Sequence, residues 1–217
     1  MKPGCRFRWL GLSEYTSVAD RMLQFTDSRD RETLDEIWFL EHFPVFTQGT
    51  SSRLEPHRNP DGIPLIRSKR GGQITYHGPG QLIAYLMLDL RRLGIGPRRL
   101  VELIEDCLLR LLADYGLEGK RRAGAPGVYV EDHKIAALGL RIRNGCSFHG
   151  FSLNVNMDTT PFTWIDPCGY PGLVVTSLAL NGVDRKMETV CRDLKRCLSD
   201  VFEWESDGTG AGVEGIR

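Results

Sequence analysis

The sequence predicts a single α/β (α+β) domain, a mixed β-sheet flanked by helices. Three observations carry this reading. Short apolar or alternating runs recur through the middle of the chain, each bounded by glycine or proline, as strands are. Three stretches place apolar residues at helical spacing. No repeat or linker divides the 217 residues, a length that one large domain can hold. The domain is expected over residues 1–205, and the glycine-rich tail SDGTGAGVEGIR, residues 206–217, is expected to be mobile.

Taken in order, Ser13 is placed to cap a helix whose stripe is Tyr15, Val18, Met22 and Phe25. DEIWFLEHFPVFTQG reads as strand, interrupted by Pro44. RLEPHRNPDGIP is a turn-rich loop. The run LIRSKRGGQITYHGPGQLIAYLMLDL reads as strand, turn, strand, and Leu82 to Leu90 is apolar on both faces, as a covered central strand would be. Pro97 opens a second helix carrying Leu100, Leu103, Ile104, Cys107, Leu108, Leu111 and Leu112, with Gly116 just past its end. GVYVEDHKIAALGLRIRNG reads as a hairpin turning at Asp132–His133. In FHGFSLNVNMD, Phe151, Leu153, Val155 and Met157 alternate with Gly150, Ser152, Asn154 and Asn156. That is a strand with one packed face and one face lining something polar. The last helix carries Met187, Val190, Cys191, Leu194, Leu198 and Val201.

Composition narrows the function classes. Hydrophobic residues make up 41% and charged ones 26%, and 28 basic residues balance 28 acidic ones. Net charge therefore points to neither nucleic acid nor membrane as partner. Local basic clusters (Arg67, Lys69 and Arg70; Arg91–Arg92; Arg98–Arg99; Lys120 to Arg122) are solvated faces or a dock for an acidic protein. No apolar run reaches the length of a bilayer span. The start MKPGCRFRWLGL has no apolar core or cleavage site of a signal peptide, so a cytoplasmic location is expected. The six cysteines form no CxxC pair and no dense framework, and disulfides are not expected.

Cys107, Cys191 and Cys197 belong to helical stripes or border one, as buried small hydrophobes do. Cys5 near the terminus and Cys146 in RNGCS lack chemical company. Cys168 differs, because the turn DPCGYPG displays it. Such a cysteine is either incidental or reactive, and a reactive one needs a group that favours the thiolate. His77 and His149, both beside glycine, are candidates if they are not structural. Lys134 is another. Counting by twos through KIAALGLRI puts it on the face of Ala136, Leu138, Leu140 and Ile142. There it is either paired or snorkelling from a frayed end. RGGQITYHGPGQ lacks the order of a phosphate loop or a dinucleotide fingerprint. It concentrates Arg70, Gln73, Thr75, Tyr76 and His77 among glycines that let a ligand approach the backbone.

Taken together, EHFPVFTQGTS, RGGQITYHGPGQLIAYLMLDLRRLG, GAPGVYV, KIAALGLRI, HGFSLNVNMD, FTWIDPCG and VTSLA resemble the lipoyl(octanoyl) transferase family, the lipoate-protein ligase B type, in order and spacing over roughly residues 39 to 180. The resemblance implies a fold similar to the catalytic domain of biotin and lipoate protein ligases. It implies an acyltransferase of lipoate biosynthesis that moves an octanoyl chain from acyl carrier protein to a lysine of lipoyl domains, with no ATP, cofactor or metal. Those domains belong to 2-oxoacid dehydrogenase acyltransferase subunits and the glycine-cleavage H protein. Cys168 matches the cysteine that carries the acyl thioester, and Lys134 the lysine that activates it. The substrate-binding segments fall on Arg70, Gly71, Gly72, Gln73, Ile74, Thr75, Tyr76 and His77; on Ala137, Leu138 and Gly139; and on Gly150, Phe151 and Ser152. HGFSLN departs at two positions from the family's HGLALN. Readings of other classes are an ATP-dependent ligase on the same fold, a non-catalytic module holding a carrier or lipoyl domain, and a metal site of Cys168, His77 and His149, for which no ligand spacing speaks.

Overall fold

The computed structural model describes residues 4–52, 56–204 and 213–215. Its strands are β1 (Cys5–Ser13), β2 (Asp35–His42), β3 (Val45–Gln48), β4 (Leu65–Arg67), β5 (Ile74–His77), β6 (Gln81–Met87), β7 (Gly119–Lys120), β8 (Gly127–Val130), β9 (His133–Arg143) and β10 (Cys146–Asn154). The helices are α1 (Tyr15–Ser28), α2 (Pro97–Asp114) and α3 (Met187–Phe202). Seven strands form one sheet in the order β1-β2-β6-β10-β9-β8-β7, and β4-β3-β5 form a second. The pairs β1–β2 and β3–β4 are parallel and the others antiparallel, so both sheets are mixed.

Alternation along the central strands divides the large sheet into two unlike faces. Ile37, Phe39, Leu82, Ala84, Leu86 and Leu153 face the main core beneath α2 and α3. Trp38, Leu40, Ile83, Tyr85 and Met87 face the other way, towards Val18 and Met22 of α1. The small sheet closes over a third cluster, in which Phe46, Ile74 and Tyr76 meet Phe162, Trp164 and Ile165. β6, third of seven, is buried along its whole length, as its two-faced apolar run requires. The helix begun at Pro97 buries the expected stripe of leucines.

The chain departs from the sequence reading in four places. Residues 5–13 form an edge strand that their charged, mixed composition concealed. Ser13 is not a helix cap: it ends that strand opposite His42, and its hydroxyl bonds back to the Leu10 carbonyl at 3.0 Å. The hairpin turns at Glu131–Asp132, with Glu131 at φ 53°, and His133 already pairs with Val130. Of the tail expected to be mobile, Val213 is buried in the main core and Glu214 bonds to β1 through Trp9 N–H (2.7 Å) and the Phe7 carbonyl (3.1 Å). Residues 205–212, 216 and 217 lie outside the described residues.

One buried charge pins the α1 end of this frame. Asp35, fully buried at the head of β2, accepts from Arg29 and Arg92 at 2.6 Å each and from the backbone N–H of Asp89 at 2.8 Å. Removing one partner of a buried ion network leaves the others uncompensated, which costs more than the network contributes when intact. Asp35→Ala is expected to lower unfolding free energy by about 3–5 kcal/mol, read as a shifted midpoint in urea denaturation.

Candidate active site

Cys168 lies on a one-turn 3-10 segment, Pro167–Gly169, with left-handed backbone (φ 57°, ψ 18°). The Gly169 N–H donates to the Asp166 carbonyl at 2.9 Å and that of Tyr170 to Pro167 at 3.1 Å. Gly169 is also left-handed, at φ 77°, and two such residues in succession fold the chain so that the thiol projects instead of packing.

The strand opposite delivers the lysine. Lys134 N–H donates to the Val174 carbonyl and Thr176 N–H to the Lys134 carbonyl, both at 2.9 Å, so the start of β9 is stitched to the segment following Cys168. Lys134 Nζ then stands 3.3 Å from Cys168 Sγ, 3.1 Å from the Pro126 carbonyl oxygen and 5.3 Å from the centre of the Tyr129 ring. The residue is 4% exposed. Gly127, at φ 134°, makes the room: a Cβ there would meet Lys134 Cε at 3.0 Å. The count by twos fails here. Tyr129 pairs with Lys134 but Val128 with Ala136, so Ile135 is a bulged extra residue. The bulge turns Lys134 to the face of Tyr129 and the thiol, while Ile135 and Ala136 enter the core.

Lys134, Cys168 and the loops around them open into a cavity of about 430 Å³, mainly apolar, between the large sheet and the 70–77 segment. Besides Cys168 and Lys134 it is lined by Arg70, Gly71, Gly72, Gln73, Thr75, His77, Ala137, Leu138, Gly139, Gly150, Phe151 and Ser152. Ile74 and Tyr76 do not line it. They alternate away from Thr75 and His77 and bury against Phe46 and Phe162. The glycines allow close approach. Gly71 N–H bonds the Leu140 carbonyl at 3.2 Å, and a Cβ on Gly150 would fall 2.0 Å from the Ala84 carbonyl oxygen. Arg70 does not join a solvated basic run. It is buried, and its guanidinium donates to Thr47 Oγ1, the Thr47 carbonyl (2.6 Å) and the Gly71 carbonyl (2.9 Å).

Sequence reasoning missed Ile83, Tyr85, Leu140 and Ile142 on the walls and the carbonyl of Pro126 beside the amine. It also missed His42, buried behind Tyr85 with Nε2 2.7 Å from the phenol oxygen. The available signal was polarity at the ends of apolar strands: His42 and Asn154 close, and Gln81 opens, a run that is otherwise core. Neither candidate histidine touches the thiol. His77 Nδ1 bonds Gln81 Oε1 at 2.7 Å, and His149, left-handed at φ 58°, sits with its ring 5.8 Å from that of Tyr85. Among the described residues no three ligating side chains are grouped to hold a metal ion. Burial pushes His42 down to about 4 and His149 down to about 3, with Arg70 adding to the effect on His149, and it holds His77 well below its ordinary value.

This fold, a large mixed sheet and a smaller one with flanking helices, is that of lipoate and biotin protein ligases. A bipartite lipoate protein ligase from Thermoplasma acidophilum superposes with a TM-score of 0.74 at 17% identity, covering 94% of this chain and 85% of that one. A biotin protein ligase from Aquifex aeolicus, in complex with biotin and ATP, gives 0.60 at 11% identity over 91% and 70%. Residues 15–199 match the family model of the lipoyl protein ligase A/B catalytic domain. An octanoyltransferase of Pseudomonas savastanoi pv. phaseolicola is 59% identical over 206 residues, 95% of this chain and 94% of that protein. The chain belongs to the octanoyltransferase family, whose members are acyltransferases.

The buried histidines carry a pH signature. A histidine held below its unfolded value near 6.5 binds its proton more readily in the unfolded chain, so stability is full above that pH and falls as the solution is acidified. His42 and His149 are each expected to lower stability at pH 5 by roughly 2 kcal/mol relative to pH 7.5, and His77 acts in the same direction. Urea titrations at the two pH values check this, and His42→Gln should remove only its own share of the difference, roughly 2 kcal/mol.

Proposed function

We propose that this chain moves an octanoyl group from acyl carrier protein to the ε-amine of a lysine in lipoyl domains, through a thioester on Cys168, as a step of lipoate biosynthesis. Its acceptors are the acyltransferase subunits of 2-oxoacid dehydrogenases and the glycine-cleavage H protein. The observation that carries the reading is the 3.3 Å contact of Lys134 Nζ with Cys168 Sγ, at the end of a cavity with mainly apolar walls. Family membership supplies the octanoyl group.

The chemistry follows from the pair. An ammonium touching sulfur stabilises the anionic sulfur by charge attraction. The thiolate attacks the donor thioester carbonyl, the bond from carbon to the pantetheine sulfur breaks, and that sulfur takes the proton of Lys134. The enzyme now holds an octanoyl thioester and a neutral lysine. The acceptor amine attacks the same carbonyl, its surplus proton passes to Lys134, and the Cys168 thiolate leaves beside the restored ammonium. Thioester exchange is near balance and amide formation from a thioester runs downhill, so no nucleotide is required. The apolar walls hold the chain, each buried methylene contributing about 0.8 kcal/mol.

Intact mass after mixing with octanoyl-acyl carrier protein, without ATP, tests the scheme. One hydroxylamine-labile octanoyl adduct is expected, absent from Cys168→Ser and passed on when a lipoyl domain is added. Lys134→Arg keeps the charge but cannot release a proton, and should slow transfer about 100-fold or more. Labelling of a lipoyl domain by Cys168→Ala that depends on ATP would overturn the reading in favour of a ligase.

A further inference from the structure

Cys168 borders two cavities, and the acyl chain proposed above needs only the larger. Beside it lies a small one of about 10 Å³, room for a single oxygen atom the size of a water. The two share Thr75, Lys134, Ala137, Ser152 and Cys168, so they meet at the thiol. Backbone positions build the junction. Ser152 pairs with Ala137 across β10 and β9, and both line the large cavity. Thr75 faces them from β5, because Ile74 and Tyr76 turn the other way into the third cluster. The 70–77 segment presses directly on the turn that carries the thiol: a Cβ on Gly169 would meet Gln73 Cγ at 2.8 Å.

Both hydroxyls at this junction are uncommitted. Thr75 and Ser152 are buried, yet among the described residues neither Thr75 Oγ1 nor Ser152 Oγ has a hydrogen-bond partner. Asn154, another polar neighbour, is engaged: its Nδ2 donates to the Thr176 carbonyl at 2.8 Å and its Oδ1 accepts from Gln81 Nε2 at 2.9 Å. Lys134 directs two of its three hydrogens at Cys168 Sγ and the Pro126 carbonyl. Buried hydroxyls are ordinarily paired. Two unpaired ones on a small cavity beside a nucleophile are donors open to a group that arrives there.

We infer that the hydroxyls of Thr75 and Ser152 are the oxyanion donors of the reaction, an inference that rests on the acyl transfer proposed above. Attack by the thiolate forms the carbon–sulfur bond and moves the carbonyl π electrons onto oxygen. The carbon then sits at the junction of the cavities. Its chain runs into the large one, and the small one has room only for the oxygen. Both hydroxyls donate to that oxygen and keep their protons. When the bond to the pantetheine sulfur breaks, the electron pair returns and the carbonyl re-forms. Attack by the acceptor amine passes through an oxyanion on the same carbon, so the same donors serve both steps. Hydrogen bonds to an anion are stronger than those to a neutral carbonyl, so the pair favours the tetrahedral state over the bound thioester.

The test compares single-turnover acylation by octanoyl-pantetheine, read by intact mass, with a reaction that makes no oxyanion, alkylation of Cys168 by iodoacetamide, read by peptide mass. Thr75→Val and Ser152→Ala should each slow acylation roughly 10- to 100-fold, while alkylation stays within about twofold of wild type. Thr75→Ser, which keeps a hydroxyl, should retain most of the acylation rate. A variant that acylates at the wild-type rate overturns its hydroxyl's role and leaves acyl transfer standing. So does a parallel loss of acylation and alkylation, which marks the hydroxyl as a support of the thiol and its lysine. If wild type gives no adduct with octanoyl-pantetheine, acyl transfer fails, and p-nitrophenyl octanoate, an activated ester attacked through the same oxyanion, takes its place. The same fall in acylation by that ester supports the hydroxyls, and an unchanged rate or no adduct overturns them.

Discussion

A lysine amine can be buried only where something meets its charge or its hydrogens, and Lys134 meets a sulfur, a carbonyl and an aromatic face. Most of the surrounding structure serves to bring those three to one point. The backbone pairing of Lys134 with Val174 and Thr176 ties β9 to the segment that carries Cys168. The bulge at Ile135 turns the side chain out of the core. Gly127 leaves the space its methylenes need. The left-handed turn at Cys168 aims the thiol at the amine. Each of these is a condition on the backbone and not on the chemistry of the two side chains.

The large sheet has two unlike faces, and that difference separates stability from function. One face is covered by α2 and α3 and holds most of the apolar core. The other is covered partly by α1, and beyond α1 the small sheet and the 70–77 segment roof a cavity. Gly150 lies at the centre of this arrangement, where β10 passes the Ala84 carbonyl too closely for any side chain. The buried polar groups collect on the cavity side, where histidines kept neutral by burial, a buried arginine and two tyrosines share a connected set of contacts. Low local dielectric makes such a set costly when incompletely paired, and it is the part of the fold whose balance changes with pH.

Much of this was legible in the chain. The central strand, the three helices and the strand bearing Gly150 and Ser152 follow from apolar spacing, because spacing reports which faces are buried. The display of Cys168 on a turn was legible from its proline and glycine neighbours. The edge strand β1 was not, since Arg6 and Arg8 spend their side chains on Glu36 and only pairing with β2 makes the segment a strand. The orientation of Lys134 was misread because a bulge changes the parity of every residue before it, and nothing in KIAALGLRI marks one. Ile74 and Tyr76 were grouped with their neighbours because a motif names consecutive residues while a strand shows only alternate ones to a ligand.

The sequence by itself determined the fold class, the order of the central elements and the family, since these rest on local spacing and on residue identities that need no third dimension. Tertiary structure alone decided which groups touch. Lys134 and Cys168 are 34 positions apart, and His42 and Tyr85 are 43 apart. Their contacts depend on register, bulges and the sign of φ at a few residues, quantities that side-chain chemistry constrains weakly and packing fixes.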